Sequence, residues 1–224
     1  KDANNSEVAF KLIRTTTAGG RIGTLYRGTS ANATTIGTIT WRPSQALLDS
    51  YDQVNDIRYS SYFFEEPLLK ANAARSIAAI MINKYAGTAY ATPTELIADG
   101  KVFRTAEMYL IRAEARAETN DLTGAAADLN TLRAARINGY TNASFSSKGD
   151  LITAIMNERF KELAYEGHRF FDAKRRNLPI IRLAVDAQNN KTTLESGNFR
   201  FLLPIPNSEI QANPLMVQNP GYTN

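Results

Sequence analysis

The apolar positions of this chain change period along its length. Near the start, Val8, Phe10 and Leu12 alternate with polar neighbours, and this period-two pattern predicts a half-buried strand within residues 7–14. Residues 15–40 are rich in Gly, Thr, Ser and Asn and read as loop with short strands at most. Trp41, Arg42 and Pro43 follow, and Ser44 stands where it can cap a short helix carrying Leu47, Leu48 and Tyr51. Behind the acidic stretch 49–58 comes an aromatic cluster of Tyr59, Tyr62, Phe63 and Phe64. Residues 76–85 form an apolar run that fits either a buried strand or a short helix, and 86–100 read as loop.

From Val102 the period becomes helical. Phe103, Ala106, Leu110, Ala113 and Ala117 step by three, four, three and four. Asn120-Asp121 breaks the pattern, and Asp121 or Thr123 can cap a second helix with Ala126, Leu129 and Leu132 on one face. Two such helices of about sixteen residues, each roughly 24 Å long, make an antiparallel pair resembling one tetratricopeptide repeat. A stable solenoid needs about three repeats, so one copy fits a piece of a longer chain. Ser147-Lys-Gly-Asp150 is a capping box for a third helix, whose apolar face is Ile152, Met156, Phe160 and Leu163.

Beside that face Glu158, Glu162 and Glu166 are spaced four apart. Gly167 suits the left-handed residue that closes a helix, and a basic, aromatic segment runs from His168 to Arg176. The carboxylates are expected to pair with Arg159, Arg169 or Arg175. Residues 178–198 read as an excursion with turns at Asn189-Asn190 and Ser196-Gly197, and 199–203 as a short strand. From Pro204 onward four prolines favour extended backbone, in a tail anchored by Ile205, Ile210, Leu215 and Tyr222.

Composition narrows the function. The hydrophobic content of 43% and charged content of 21% are those of a globular chain, and the net charge of +4 is small for 224 residues. No long Lys/Arg run points to nucleic acid. With no cysteine there is no disulfide or zinc-thiolate site, and the single histidine, His168, cannot build a multi-His metal site. No phosphate loop, dinucleotide fingerprint or nucleophile elbow is present, and no cofactor is implied. Asp49, Asp52 and Asp56 lack calcium-loop spacing and suit turn and helix capping.

The stretch 157–176, with Glu158, Arg159, Glu162, Glu166, Gly167, Arg169, Asp172 and Arg175, resembles the signature of the SusD/RagB family. The tail, with Ile205-Pro206, Asn213-Pro214 and Gln218-Asn219-Pro220-Gly221-Tyr222, resembles the same family's closing motif. The resemblance runs from about Ser6 to the end. It implies a mostly α fold: a SusD-like α/α helical-repeat scaffold with long loops and a few short strands. Within one unit, 1–101 would be loop-rich, 102–177 helical, and 178–224 excursion and tail. The resemblance also implies the C-terminal part of a nutrient-binding lipoprotein of the Bacteroidetes outer membrane, with a signal and lipidated Cys upstream. Such a protein binds a glycan and passes it to a TonB-dependent SusC-like transporter; it is not an enzyme. The signature residues would then be structural.

For ligand contact the residues favour Trp41, Arg42, Tyr51, Asn55, Arg58, Tyr59 and Tyr62. Flat C–H faces of sugars stack on aromatic rings, and their hydroxyls need amide or charged partners. The competing expectation is that most of these rings fill the core, with Trp41 the best exception because it follows a polar loop. Three alternatives stand beside glycan binding: a protein-only helical-repeat module, a peptide-binding family member, and a glycoside hydrolase using the glutamate stripe as acid and base.

Overall fold

The structure is a computed structural model describing residues 7–15, 22–26, 41–65, 80–85, 97–213 and 215–222. The run 76–79 and most of the loops 15–40 and 86–100 lie outside them. The chain divides into two compact units, residues 1–164 and 165–224, so the boundary falls inside the stretch 102–177.

The first unit is built on three helices: α4 (Thr105–Glu118), α5 (Leu122–Ala134) and α6 (Lys148–Glu162). They start about where the apolar period predicts. Asn120 takes the left-handed conformation in the turn after α4, and the Asp121 carboxylate accepts from Gly124 N–H at 2.9 Å to begin α5. The Ser147 hydroxyl accepts from Asp150 N–H at 3.1 Å and donates to its carboxylate, which opens α6 as the capping box predicts. Ala106, Leu110, Ala113 and Ala117 pack against Ala125, Leu129 and Leu132, and Leu151, Ile152, Ile155 and Met156 close the core. The small alanines let the first two helices approach closely. Arg112 and Arg116 both reach the Asp128 carboxylate, at 2.6 and 2.8 Å.

Shorter elements precede these helices: α1 (Ile22–Tyr26), within the stretch read as loop, α2 (Gln45–Asp49) and α3 (Ile57–Tyr62). Ser44 caps α2 and Asp56 caps α3, while Asp52 accepts from Val54 and Asn55 N–H in the turn between them. Strand β1 (Val8–Leu12) pairs antiparallel with β4 (Gly100–Arg104), and β2 (Phe63–Glu65) with β3 (Ile80–Ile82). Of the described part of the run 76–85, Ile80–Ile82 are strand and residues 83–85 leave it in a turn. In β1 the predicted alternation fails as a core face. The register shifts on both sides of Phe10, and Phe10 and Leu12 are exposed together with Phe103 of β4.

The second unit begins at α7 (His168–Arg175), preceded by Gly167 at φ +85°. That conformation costs a residue with a Cβ and is free for glycine. Beyond it, β5 (Ile180–Ile181) pairs with β6 (Thr193–Leu194). Residues 199–201 form a 3-10 turn where a strand was expected, because the Asn198 side chain accepts from Arg200 N–H and its carbonyl accepts from Phe201 N–H. Phe201 is buried and stacks on Phe170 of α7 at 5.3 Å.

The tail departs from the expected extended form. Pro206, with φ fixed near that of a helix, leads into α8 (Asn207–Ala212). Leu215, expected as an anchor, is 90% exposed, while Ile205, Ile210 and Tyr222 are half-buried. The grip is polar instead. The Gln218 amide bonds both the N–H and the carbonyl of Ile205, Asn219 donates to Leu203 O, and the Tyr222 hydroxyl donates to Leu202 O. The Tyr222 ring meets Phe199 edge-on at 5.0 Å, and the Gly221 backbone lies so close to the Phe199 ring that a Cβ there would run into it.

Candidate ligand-binding face

Two of the seven candidate contact residues are interior. Tyr51 is 5% exposed, and its hydroxyl donates to Lys161 O at 2.7 Å. Its ring packs on Phe63 at 5.6 Å, and burial pushes its hydroxyl pKa well up. Arg58 is 2% exposed. Both positions are corrected from ligand contact to framework: they face carboxylates, carbonyls and rings of the protein itself. Tyr59 and Tyr62 are half-buried at the edge of the same ring cluster, 5.7 and 6.4 Å from Phe63. The Tyr62 ring also carries the Lys84 ammonium 4.2 Å from its centroid. Asn55 is exposed, with its amide on the Asp52 carboxylate.

Trp41 differs from the rest. It is 57% exposed, and neither it nor the half-buried Arg42 makes a hydrogen bond, ion pair or ring contact among the described residues. The structure brings Tyr51, Arg58, Tyr59 and Tyr62 together around Phe63 and leaves Trp41 outside that group of ring contacts. Ser44 at the start of α2 holds the backbone just beyond it.

The glutamate stripe is the electrostatic centre of the first unit. Glu158 and Glu162 are both 0% exposed in their side chains. Their partners are not the expected Arg159, Arg169 and Arg175. Glu162 takes Arg136 on both oxygens, at 3.1 and 3.2 Å, Arg104 at 2.9 Å and Arg58 at 3.0 Å. Glu158 takes Arg133 at 2.7 Å and Lys161 at 3.4 Å, and lies 2.7 Å from Arg58. That last contact misses hydrogen-bond angles, so it is an ion pair only. Asp56 binds Arg58 through both oxygens, at 2.9 and 2.7 Å, and Glu7 links Arg104 with Arg136.

The carbonyls at the end of α6 are satisfied by the same neighbourhood. Lys84 donates to Glu162 O and Ala164 O, and Arg104 to Glu162 O. Arg175 pairs with Asp172 within α7, at 2.7 Å. Apart from Lys161, three residues along the same helix, these partners lie 25 to 104 residues away, beyond the reach of local spacing.

The pKa shifts of these carboxyls run opposite to those of a general acid. Burial alone would raise the Glu162 pKa, but the Arg136 hydrogen bonds and the charges of Arg136, Arg104 and Arg58 hold it far below the ordinary carboxylate range. Glu158 is lowered in the same way against burial, chiefly by Arg58. A general acid needs the opposite shift. Among the described residues no group of His, Asp and Glu could hold a metal, and no helix is long and apolar enough to cross a membrane.

A mostly helical scaffold with one repeat-like pair, an arginine-bound glutamate centre and a polar-clipped tail places the chain in the class of helical scaffolds with long loops. The chain belongs to the SusD family, whose model matches residues 58–222. It is 30% identical over 129 residues to SusD-like protein P25 of Formosa agariphila, a match spanning 55% of this chain and 24% of that one. It superposes on a SusD superfamily protein from Bacteroides thetaiotaomicron with TM-score 0.76 and 26% identity, covering 98% of this chain and 50% of that one. A SusD superfamily protein from Bacteroides vulgatus gives 0.74 and 26%, covering 98% and 47%. A laminarin-binding SusD-like protein shares the fold at TM-score 0.64 and 24% identity, covering 98% and 51%. The chain thus spans about half the length of these solved relatives.

Proposed function

We propose that this chain is part of a glycan-binding protein of the outer-membrane surface that passes its ligand to a SusC-like TonB-dependent transporter. Membership of the SusD family is the observation that carries this reading. The laminarin-binding relative of the same fold supports it. Within the first unit the exposed Trp41 indole is the best stacking platform, with Arg42 beside it and Tyr59, Tyr62 and Asn55 as further contacts. Anchoring would come from a lipid on the full-length protein.

Tryptophan emission tests the site directly, because Trp41 is the chain's only indole. Soluble oligosaccharides such as laminarin fragments should shift its emission and protect it from quencher. Trp41→Ala should lower affinity by about 1–3 kcal/mol, taking base stacking on aromatics as the analogue, with little loss of stability. Glycan binding that leaves the emission unchanged would remove Trp41 from the site. Failure of the full-length protein to bind any glycan while it captures its transporter would remove the glycan reading.

A further inference from the structure

The second unit holds a cleft of about 290 Å³ between the end of α7 and residues 196–202. Its lining includes Lys174, Asn177, Leu178, Ser196, Asn198 and Phe199, and no Asp or Glu. Neither Lys174 nor the adjacent Arg200, whose guanidinium stands 4.6 Å over the Phe199 ring, forms an ion pair with a described residue. The Asn198 carboxamide oxygen is taken by Arg200 N–H, which leaves its amide N–H groups as donors. The cleft therefore offers an ammonium, amide and hydroxyl donors and an apolar wall of Leu178 and Phe199, with no carboxylate among its described lining residues. A ligand that matches has an anionic group, several acceptors and one apolar face. At the small end of ligand-pocket volumes, roughly 300–1,000 Å³, the cleft has room for about one sugar ring.

We infer that this cleft binds a single sugar ring carrying an acidic group, a carboxylate or a sulfate ester, with Lys174 on the anion and Leu178 and Phe199 against the ring. The inference does not rest on the Trp41 site. Nitrogen-15-labelled protein is titrated with glucuronate, glucose 6-sulfate, neutral glucose and acetate, following amide shifts. One or both acidic sugars should move Lys174, Asn177 and residues 196–198 at concentrations where glucose and acetate do not. Lys174→Gln, at an exposed position that leaves the fold intact, should weaken that binding about tenfold, and Lys174→Arg should restore most of it. Trp41→Ala should change none of these shifts. Equal response to glucose or to acetate, shifts confined to residues 41–62, or unchanged affinity in Lys174→Gln would each overturn the assignment.

Discussion

Replacing Glu162 by Gln keeps the side chain's shape and removes its charge. Three guanidiniums, those of Arg58, Arg104 and Arg136, then face a neutral amide in a site closed to water. Breaking one partner out of a buried ionic group costs about 3–5 kcal/mol. Asp56 and Glu158 still hold Arg58, and Glu7 still bridges Arg104 and Arg136, so the lower end, about 3 kcal/mol, applies here. At 2–4 °C per kcal/mol for a chain of this size, the melting temperature should fall by about 6–12 °C.

The assay is thermal unfolding by circular dichroism at pH 7, with Glu209→Gln as an exposed control within about ±0.5 kcal/mol of the parent. Acid adds a second reading. The folded Glu162 carboxyl ionises below its unfolded value of about 4.3, so its stabilisation is present above that pH and is lost as pH falls toward the folded pKa. The gap between parent and Glu162→Gln should therefore narrow below about pH 4. A melting temperature for Glu162→Gln equal to that of the control at pH 7 would refute the hub as a source of stability.

Two further substitutions probe other parts of the chain. Gly221→Ala sets a Cβ against the Phe199 ring at φ +88°, and should cost about 2–4 kcal/mol, seen as earlier proteolytic cutting within 203–222. Ser147→Ala should cost about 1 kcal/mol through the lost α6 cap, seen in chemical denaturation, with Ser147→Asp close to the parent.

What the sequence could show follows from range. Helices α4, α5 and α6 were legible because their apolar steps and caps act within a few residues, as at Asp121 and Ser147. The family signature around Glu158 and Glu162 was legible too, but its partners were not, since Arg58 and Arg104 come from α3 and β4. Tyr51 was open to two readings, ligand contact or core ring, and is interior, with its hydroxyl on a carbonyl 110 residues away. The tail's prolines predicted extended backbone, and a polar clip through Gln218 and Asn219 has no hydrophobic period to betray it. The donor-lined cleft arises from two turns, at 177 and 196–198, that meet only in three dimensions.

The order of synthesis gives the glutamate centre a timing. Arg58 stands 104 residues before Glu162, so at 5–20 residues per second it emerges about 5–20 s before its carboxylate. During that interval the helical pair α4 and α5, whose contacts are local, can already form. The Arg58 and Arg104 guanidiniums meanwhile lack the Glu158 and Glu162 charges that later bury them, and stay hydrated. Arg58 and Arg104 can meet Glu162 only once the end of α6 has emerged, so the last turn of one helix ties together side chains made up to 104 residues before it.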